Sequence, residues 1–259
     1  MQVWQAAILG IVQGLTEFLP VSSSGHILLF ERIFKIETGM FLGIMLHAGT
    51  LIAVVVLYFS KICNLFKQER KKFWYLILAT IPAGVVGIAF GDAIDRIFFG
   101  GDFLWLFFAL TAILLFFLSA RLKKTYPIKP LNAKRATAVG FAQAVAVLPG
   151  LSRSGTTLTA CVFTGMEKEE AVDFSFLMSI PVIGGALLVE IFKVFAYEGY
   201  VSEISWQALA VGMGFSVVFG LIAVRWVSAL AKKGGFMGFG VYLLILAAFL
   251  FANEFLYIF

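Results

Sequence analysis

The sequence predicts an all-α polytopic membrane protein, a single integral membrane domain over residues 1–259 built from two inverted-topology repeats. Each repeat is expected to be a re-entrant helix hairpin followed by three transmembrane helices. Three observations carry this expectation: long apolar runs, a self-similarity at a shift of 130 positions, and a one-sided placement of Lys and Arg.

The chain is 61% hydrophobic and only 14% charged, with a mean hydropathy of +0.98. A soluble domain of this length needs more polar residues to cover its surface. Segments 41–59, 73–90, 103–120, 171–189, 207–224 and 236–252 are each long enough, or nearly so, to cross the bilayer core as helices, about 30 Å of hydrocarbon. They are too long and too rich in Leu and Phe for barrel strands of about 10 alternating residues. Cys63 and Cys161 lie far apart without metal spacing and read as structural. No removable signal peptide is expected, because no basic residue precedes the first apolar stretch and it runs into a polar motif. The net charge of +5 is ascribed to membrane topology, so no nucleic-acid partner is inferred from it.

The self-similarity needs no gap. Gly10 falls on Gly140, Gln13 on Gln143, Ser22 on Ser152, Ser24 on Ser154 and Gly25 on Gly155. The apolar segments follow the same shift, 41–59 onto 171–189, 73–90 onto 203–220 and 103–120 onto 233–250. Repeat one therefore covers about 1–130 and repeat two about 131–259.

Charge then orients the spans. Segments 60–72, 121–135 and 231–235 carry nearly all the loop Lys and Arg, whereas 91–102 and 190–206 hold only Arg96 and Lys193 against several acids. Positive loops stay in the cytoplasm, which places 91–102 and 190–206 outside. Three spans per repeat is an odd number, so the second repeat enters upside down, as in many transporters with a site between repeats. The motif regions split into short apolar pieces, 4–19 with 26–34 and 136–148 with 156–165. Pieces this short suit hairpins dipping from opposite faces, their tips buried in protein or in a wet cavity.

Both tips are polar. The first reads Gln13-Gly-Leu-Thr-Glu17-Phe-Leu-Pro20-Val-Ser22-Ser23-Ser24-Gly25-His26 and the second Pro149-Gly150-Leu-Ser152-Arg153-Ser154-Gly155-Thr156-Thr157. Ionisable groups at membrane depth are costly and usually functional. Gln13 and Glu17 share one helix face, Pro20 ends that helix, and Ser22–Ser24 cap the next. Arg153 is expected in the equivalent loop, before a helix opening at Ser154–Thr157. Two helix N-termini would then face one cavity, and such ends bind phosphate. Arg153 adds a two-pronged donor for phosphate oxygens. Glu17 suits a hard divalent cation shared with diphosphate oxygens, or general-base work, while Ser23 and His26 are candidate nucleophiles or proton carriers.

Each residue also has a structural reading. Glu17 can cap a helix end, Arg153 can bind loop carbonyls, the serines can only cap helices, and His26 can be a satisfied buried histidine. Gln13 can merely bond backbone. His47, in an apolar span, reads as structural; Asp173 and Glu190 read as span-end groups facing water. Phe174, Phe176 and the other aromatics read as packing and interfacial belts.

The two motifs resemble the bacitracin-resistance type of undecaprenyl-diphosphate phosphatase family, and the likeness covers the whole chain, including segment 167–177 with Asp173 before Phe174. The resemblance implies removal of the terminal phosphate of undecaprenyl diphosphate in the bacterial cytoplasmic membrane, with a divalent cation, Mg²⁺ or Ca²⁺. It carries Glu17, Ser23, His26 and Arg153 over as the essential set. Gln13, Ser22, Ser24, Gly25, Ser152, Ser154, Gly155, Thr156 and Thr157 surround them as substrate contacts. Gln13 stands where many family members have Glu, so Glu17 bears the metal or base role alone. The nucleophile is Ser23 or His26, with Ser23 preferred. The site is expected to open outward, and a homodimer is kept open as an assembly.

Two other readings share features with these motifs. Ser23-Ser24-Gly25-His26 is similar to a motif of the type 2 phosphatidic acid phosphatase superfamily. That family needs another His beyond the Ser-Arg segment, and none follows Ser152-Arg153. A transporter or flippase for a phosphorylated lipid shares the repeats and the phosphate site; release of inorganic phosphate discriminates it.

Overall fold

A computed structural model describes residues 1–36, 39–98, 100–196 and 205–256. Among them the chain forms ten α-helices: α1 Val3–Phe18, α2 Ser23–Phe34, α3 Gly39–Lys67, α4 Arg70–Phe98, α5 Leu104–Leu122, α6 Ala133–Val145, α7 Arg153–Phe163, α8 Lys168–Ala196, α9 Trp206–Lys233 and α10 Met237–Leu256. Six of them, α3, α4, α5, α8, α9 and α10, are long and apolar enough to cross a membrane. Their outward faces are apolar: Ile88 is 84% exposed and Phe195 85%. Soluble monomers rarely leave so much apolar surface to water. Trp4, Trp74 and Trp206 are exposed close to helix starts, where an aromatic belt meets the membrane interface.

The six long helices cover the expected spans and overrun them. The basic segment 60–72 is almost entirely helical, and α3 and α4 are joined at Gln68–Glu69 alone. Lys and Arg are good helix formers whose stems lie along apolar surface, so the helices continue past the hydrocarbon. Likewise α4 extends through most of 91–102. Asp173, expected to face water, instead accepts from Tyr58 at 3.0 Å and pairs with Lys61 across α3 and α8. The Glu190 side chain and the acids at 198 and 203 lie outside the described residues.

The helices pair off in length across a shift of five. The first five run 16, 12, 29, 29 and 19 residues, the second five 13, 11, 29, 28 and 20. Packing follows the same rule with the halves exchanged: α1 lies along α9, α6 lies along α4, and α5 meets α10. Glycines make these approaches possible. A Cβ on Gly10 would sit 2.1 Å from the Gly212 carbonyl oxygen, and one on Gly140 would sit 2.6 Å from that of Ala79.

The four short helices make two hairpins. In the first, the Trp4 ring packs edge-on to Phe34 at 5.3 Å, so α1 begins where α2 ends. In the second, the Lys129 amide donates to Gly165 at 2.9 Å, so α7 returns to the segment from which α6 departs. Arg32 of α2 bonds the Gly100 carbonyl and pairs with Asp102, just before α5. Tyr126, just after α5, donates to the Met166 carbonyl. The two hairpins thus leave at opposite ends of α5. Their tips meet at its middle, where the Thr111 hydroxyl donates to Gly150 and accepts from the Ser152 amide.

Candidate active site

Each tip is a helix break followed by a serine cap. Helix α1 stops at Phe18, two residues before Pro20, as the missing N–H and the ring demand. Ser22 caps α2 and accepts from the Gly25 amide at 3.3 Å; Ser152 caps α7 and accepts from the Gly155 amide at 3.1 Å. Ser22 takes φ +70°, which L residues adopt at a cost. It is held there by His26, whose ring and amide both bond the Ser22 carbonyl.

The first residues of the two capped helices, Ser23 and Arg153, converge on one carboxylate. Ser23 donates to Glu17 Oε2 at 2.6 Å. The Arg153 guanidinium bonds Glu17 Oε1. Gln13, one turn back on α1, donates to Oε2 at 3.0 Å. Glu17 is buried at 6% exposure, yet four side chains compensate its charge and lone pairs, as a buried carboxylate requires.

The fourth is His47. Its Nδ1 lies 3.2 Å from Glu17 Oε2 and 2.7 Å from the Gln13 amide nitrogen. The sequence suggested a structural histidine, and the structure places it in the cluster instead. The usable signal was its rarity: it is one of two histidines in the chain and sits at membrane depth.

A cavity of about 290 Å³ opens beside this cluster, lined by Glu17, Ser22–Ser24, His47, Ser152, Arg153 and Gln143 among others. At about 30 Å³ per water it has room for a diphosphate head group. Two side chains on it carry buried polar atoms with no hydrogen-bond partner among the described residues: Nη1 of Arg153 and both amide atoms of Gln143. Each such atom costs about 1–3 kcal/mol.

His26 is not brought into the cluster. Its Nδ1 bonds the Ser22 carbonyl and its Nε2 the Tyr242 hydroxyl, each at 2.7 Å. A carbonyl only accepts, so Nδ1 carries the proton and the Nε2 lone pair is occupied by Tyr242. That arrangement gives His26 a part in holding the tip and leaves it no free lone pair for attack. Arg153, expected in a loop, is the first residue of α7.

Several expected substrate contacts also point elsewhere. Ser154 donates to the Leu19 carbonyl, and the Thr157 hydroxyl is 2.6 Å from that of Ser175. Thr156 is buried away from the cavity lining. Gly25 and Gly155 are contact points: a Cβ on Gly25 would meet Phe108 and Gly150, and one on Gly155 would meet Pro20. One side of a helix turn faces the cavity and the rest must pack, which single-sequence spacing did not separate.

The donor set bears on a divalent cation. Glu17 is the single carboxylate lining the cavity, and among the described residues no three His, Cys, Asp or Glu side chains converge. This fits a cation that arrives with phosphate oxygens and waters, as Mg²⁺ does with one or two carboxylates. It does not fit a site made by protein alone.

The class of protein follows: a polytopic helical membrane protein whose two helix-hairpin tips form a buried, phosphate-sized polar site. A family model described as "Bacitracin resistance protein BacA" matches residues 6–249. The chain is similar to three proteins named undecaprenyl-diphosphatase. One from Methanobrevibacter smithii is 34% identical over the whole of both chains. One from Moorella thermoacetica is 36% identical over 97% of this chain and 98% of the relative. The third, "Undecaprenyl-diphosphatase 4" from Bacillus cereus, is 38% identical over 92% of each. The chain belongs to the bacitracin resistance protein BacA family.

Proposed function

We propose that this protein hydrolyses undecaprenyl diphosphate to undecaprenyl phosphate and inorganic phosphate, which recycles the cell-wall lipid carrier and confers bacitracin resistance. The relatives' names and the family support the activity. One observation carries the chemistry: the Glu17 carboxylate joins the Ser23 hydroxyl on one oxygen and the Arg153 guanidinium on the other, beside a cavity of the right size.

The steps follow from those contacts. The diphosphate enters with its terminal phosphorus against Ser23 Oγ. Glu17, already accepting from that hydroxyl, takes its proton as Oγ bonds to phosphorus. The bond to the bridging oxygen breaks, and undecaprenyl phosphate leaves with the proton. Water then attacks the phosphoserine, with Glu17 removing its proton and returning one to Ser23. Arg153 and the N-termini of α2 and α7 hold the charge that develops on the phosphoryl oxygens. Glu17 would be the carboxylate to hold a divalent cation together with substrate oxygens, and the cation would neutralise part of the diphosphate charge.

The site lies in the cytoplasmic membrane between two inverted repeats, each with a re-entrant hairpin, and opens to the external side. The paired helix lengths, the exchanged packing of α1 and α6, and the hairpin exits at opposite ends of α5 support this. Ile44 and His47 lie near the start of α3, and Val182, Ile183 and Ala186 lie in the second half of α8. Loop charge supports an external position for those ends. The same repeat geometry suits a flippase.

Two experiments test the proposal. Purified protein given undecaprenyl diphosphate should release phosphate, and Ser23→Ala should not. A variant keeping more than about a tenth of the rate, a loss under ~1.4 kcal/mol, would exclude Ser23 as nucleophile. No phosphate release by the parent protein favours the flippase. For topology, single cysteines at 98 and 128 in a background lacking Cys63 and Cys161 should differ in labelling by an impermeant thiol reagent on intact cells. Equal labelling would remove the inverted repeat.

A further inference from the structure

Gln143 is the cavity residue to which the proposed chemistry gives no role. It lies on α6, is 1% exposed, lines the cavity with Glu17 and Arg153, and has neither amide atom bonded among the described residues. Its counterpart by the shift of 130 positions is Gln13, whose amide is engaged by Glu17 and His47.

The difference between the two glutamines has a plain cause. The positions that satisfy Gln13 have apolar counterparts in the second half: Glu17 corresponds to Val147 and His47 to Leu177. The backbone setting is otherwise the same. Gly10 presses α1 onto α9 three residues before Gln13, and Gly140 presses α6 onto α4 three residues before Gln143. Gln13 is therefore carried to Glu17 and His47 on one side, and Gln143 to the cavity lining on the other. On one side its partners are protein groups. On the other, no described residue bonds it. A buried amide without partners is retained against its cost where something else completes it.

We propose that Gln143 is a substrate-binding residue that grips the diphosphate head group from the second hairpin. Its Nε2 donates to a phosphate oxygen, as does the Nη1 of Arg153, which no described residue bonds. Its Oε1 accepts from a water or protonated oxygen that the head group brings. The first hairpin thus supplies the attacking and proton-accepting groups, and the second supplies two neutral or cationic donors for phosphate.

This rests on the Glu17–Ser23–Arg153 cavity being the active site, so the test carries a control for that premise. Full-length Gln143→Leu, Gln143→Glu and Arg153→Ala are purified in detergent, and each is assayed for phosphate release across undecaprenyl diphosphate concentrations and for thermal unfolding. Gln143→Leu should lower kcat/KM at least tenfold, mainly through KM, while its Tm stays at or above wild type, because an unsatisfied buried amide has been removed. Gln143→Glu, of nearly the same shape but anionic, should be worse than Gln143→Leu. A Gln143→Leu kcat/KM above a tenth of wild type, a Tm lowered together with activity, or a Gln143→Glu no worse than Gln143→Leu overturns the proposal. If Arg153→Ala also keeps its activity, the active-site assignment fails with it. If Arg153→Ala is impaired and Gln143→Leu is not, only the role of Gln143 fails.

Discussion

The two hairpin tips are built alike and equipped differently. Each has a serine cap bonded to a glycine amide, Ser22 to Gly25 and Ser152 to Gly155. Each has a second serine 3.2–3.3 Å from the cap hydroxyl. Each presents the first side chain of its second helix to the same point. Yet those first side chains are Ser23 and Arg153, equivalent in position and opposite in chemistry, one a neutral hydroxyl and the other a cation. The carboxylate that joins them is Glu17 in the first half, where the second half has Val147. The two tips bring two helix N-termini to Glu17, and in the proposed mechanism the carboxylate on one side only gives the cavity a direction of attack.

The largest expected effect comes from removing what joins the tips. Glu17→Gln keeps the shape and removes the charge that accepts from Ser23 and pairs with Arg153. Phosphate release should fall about 10²–10⁴-fold, the contribution of a positioned general base. Retention of more than a tenth of the rate would make Glu17 a structural cap and the two tips functionally equal. Next is Arg153. Arg153→Ala should raise the barrier by ~2–4 kcal/mol, the range for loss of one electrostatic donor. Arg153→Lys should fall between, since charge is kept and the fork is lost. If Arg153→Ala fails to insert while Arg153→Lys is fully active, the second tip is structural.

Much of this was legible in the sequence. Pro20 and the serine triplet mark the first break, Pro149–Gly150 and Ser152 the second, and the shift of 130 ties them together. The meeting of Glu17 with Ser23 is close to a local fact, six residues apart across a cap. Its meeting with Arg153 is a tertiary one that the repeat foreshadowed. His47 was missed because a lone histidine in an apolar run has no periodic mate, and only the packing of α1 against α3 brings it to Glu17. The orphaned amide of Gln143 was also invisible, since lack of a partner is a property of the fold. The bond of His26 to the hydroxyl of Tyr242 was not legible either, since motif position does not reveal a partner more than 200 residues away.

A smaller effect separates the scaffolds themselves. Gly10→Ala places a methyl against the Gly212 backbone, and Gly140→Ala does the same against Ala79, with more room. Both collisions are with backbone, which yields less readily than a side chain. Gly10→Ala should lower stability at the upper end of ~1–3 kcal/mol for overpacking, and Gly140→Ala nearer the lower end. Thermal unfolding in detergent checks the order, and the reverse order would mean that the two halves do not pack as equivalents.

The smallest effect is expected at Tyr242, and it tests the asymmetry most finely. His26 corresponds to Thr156 in the second half, so only the first tip is tied to α10 by a ring and a hydroxyl. The His26 ring also stacks beside that of Tyr242, with centroids 5.8 Å apart. Tyr242→Phe keeps the stack and removes only the hydroxyl donated to Nε2. The ring stays bonded to the Ser22 carbonyl through Nδ1, so the positive φ at Ser22 should persist. One hydrogen bond of this kind contributes about 0.5–1.5 kcal/mol to stability. A modest fall in Tm should therefore come with a phosphate-release rate within about threefold of wild type, under ~1 kcal/mol in the barrier. A loss of tenfold or more in kcat would put the Tyr242–His26 pair in the chemistry, return His26 to the list of proton carriers, and give the first tip a second reactive group that the second tip lacks.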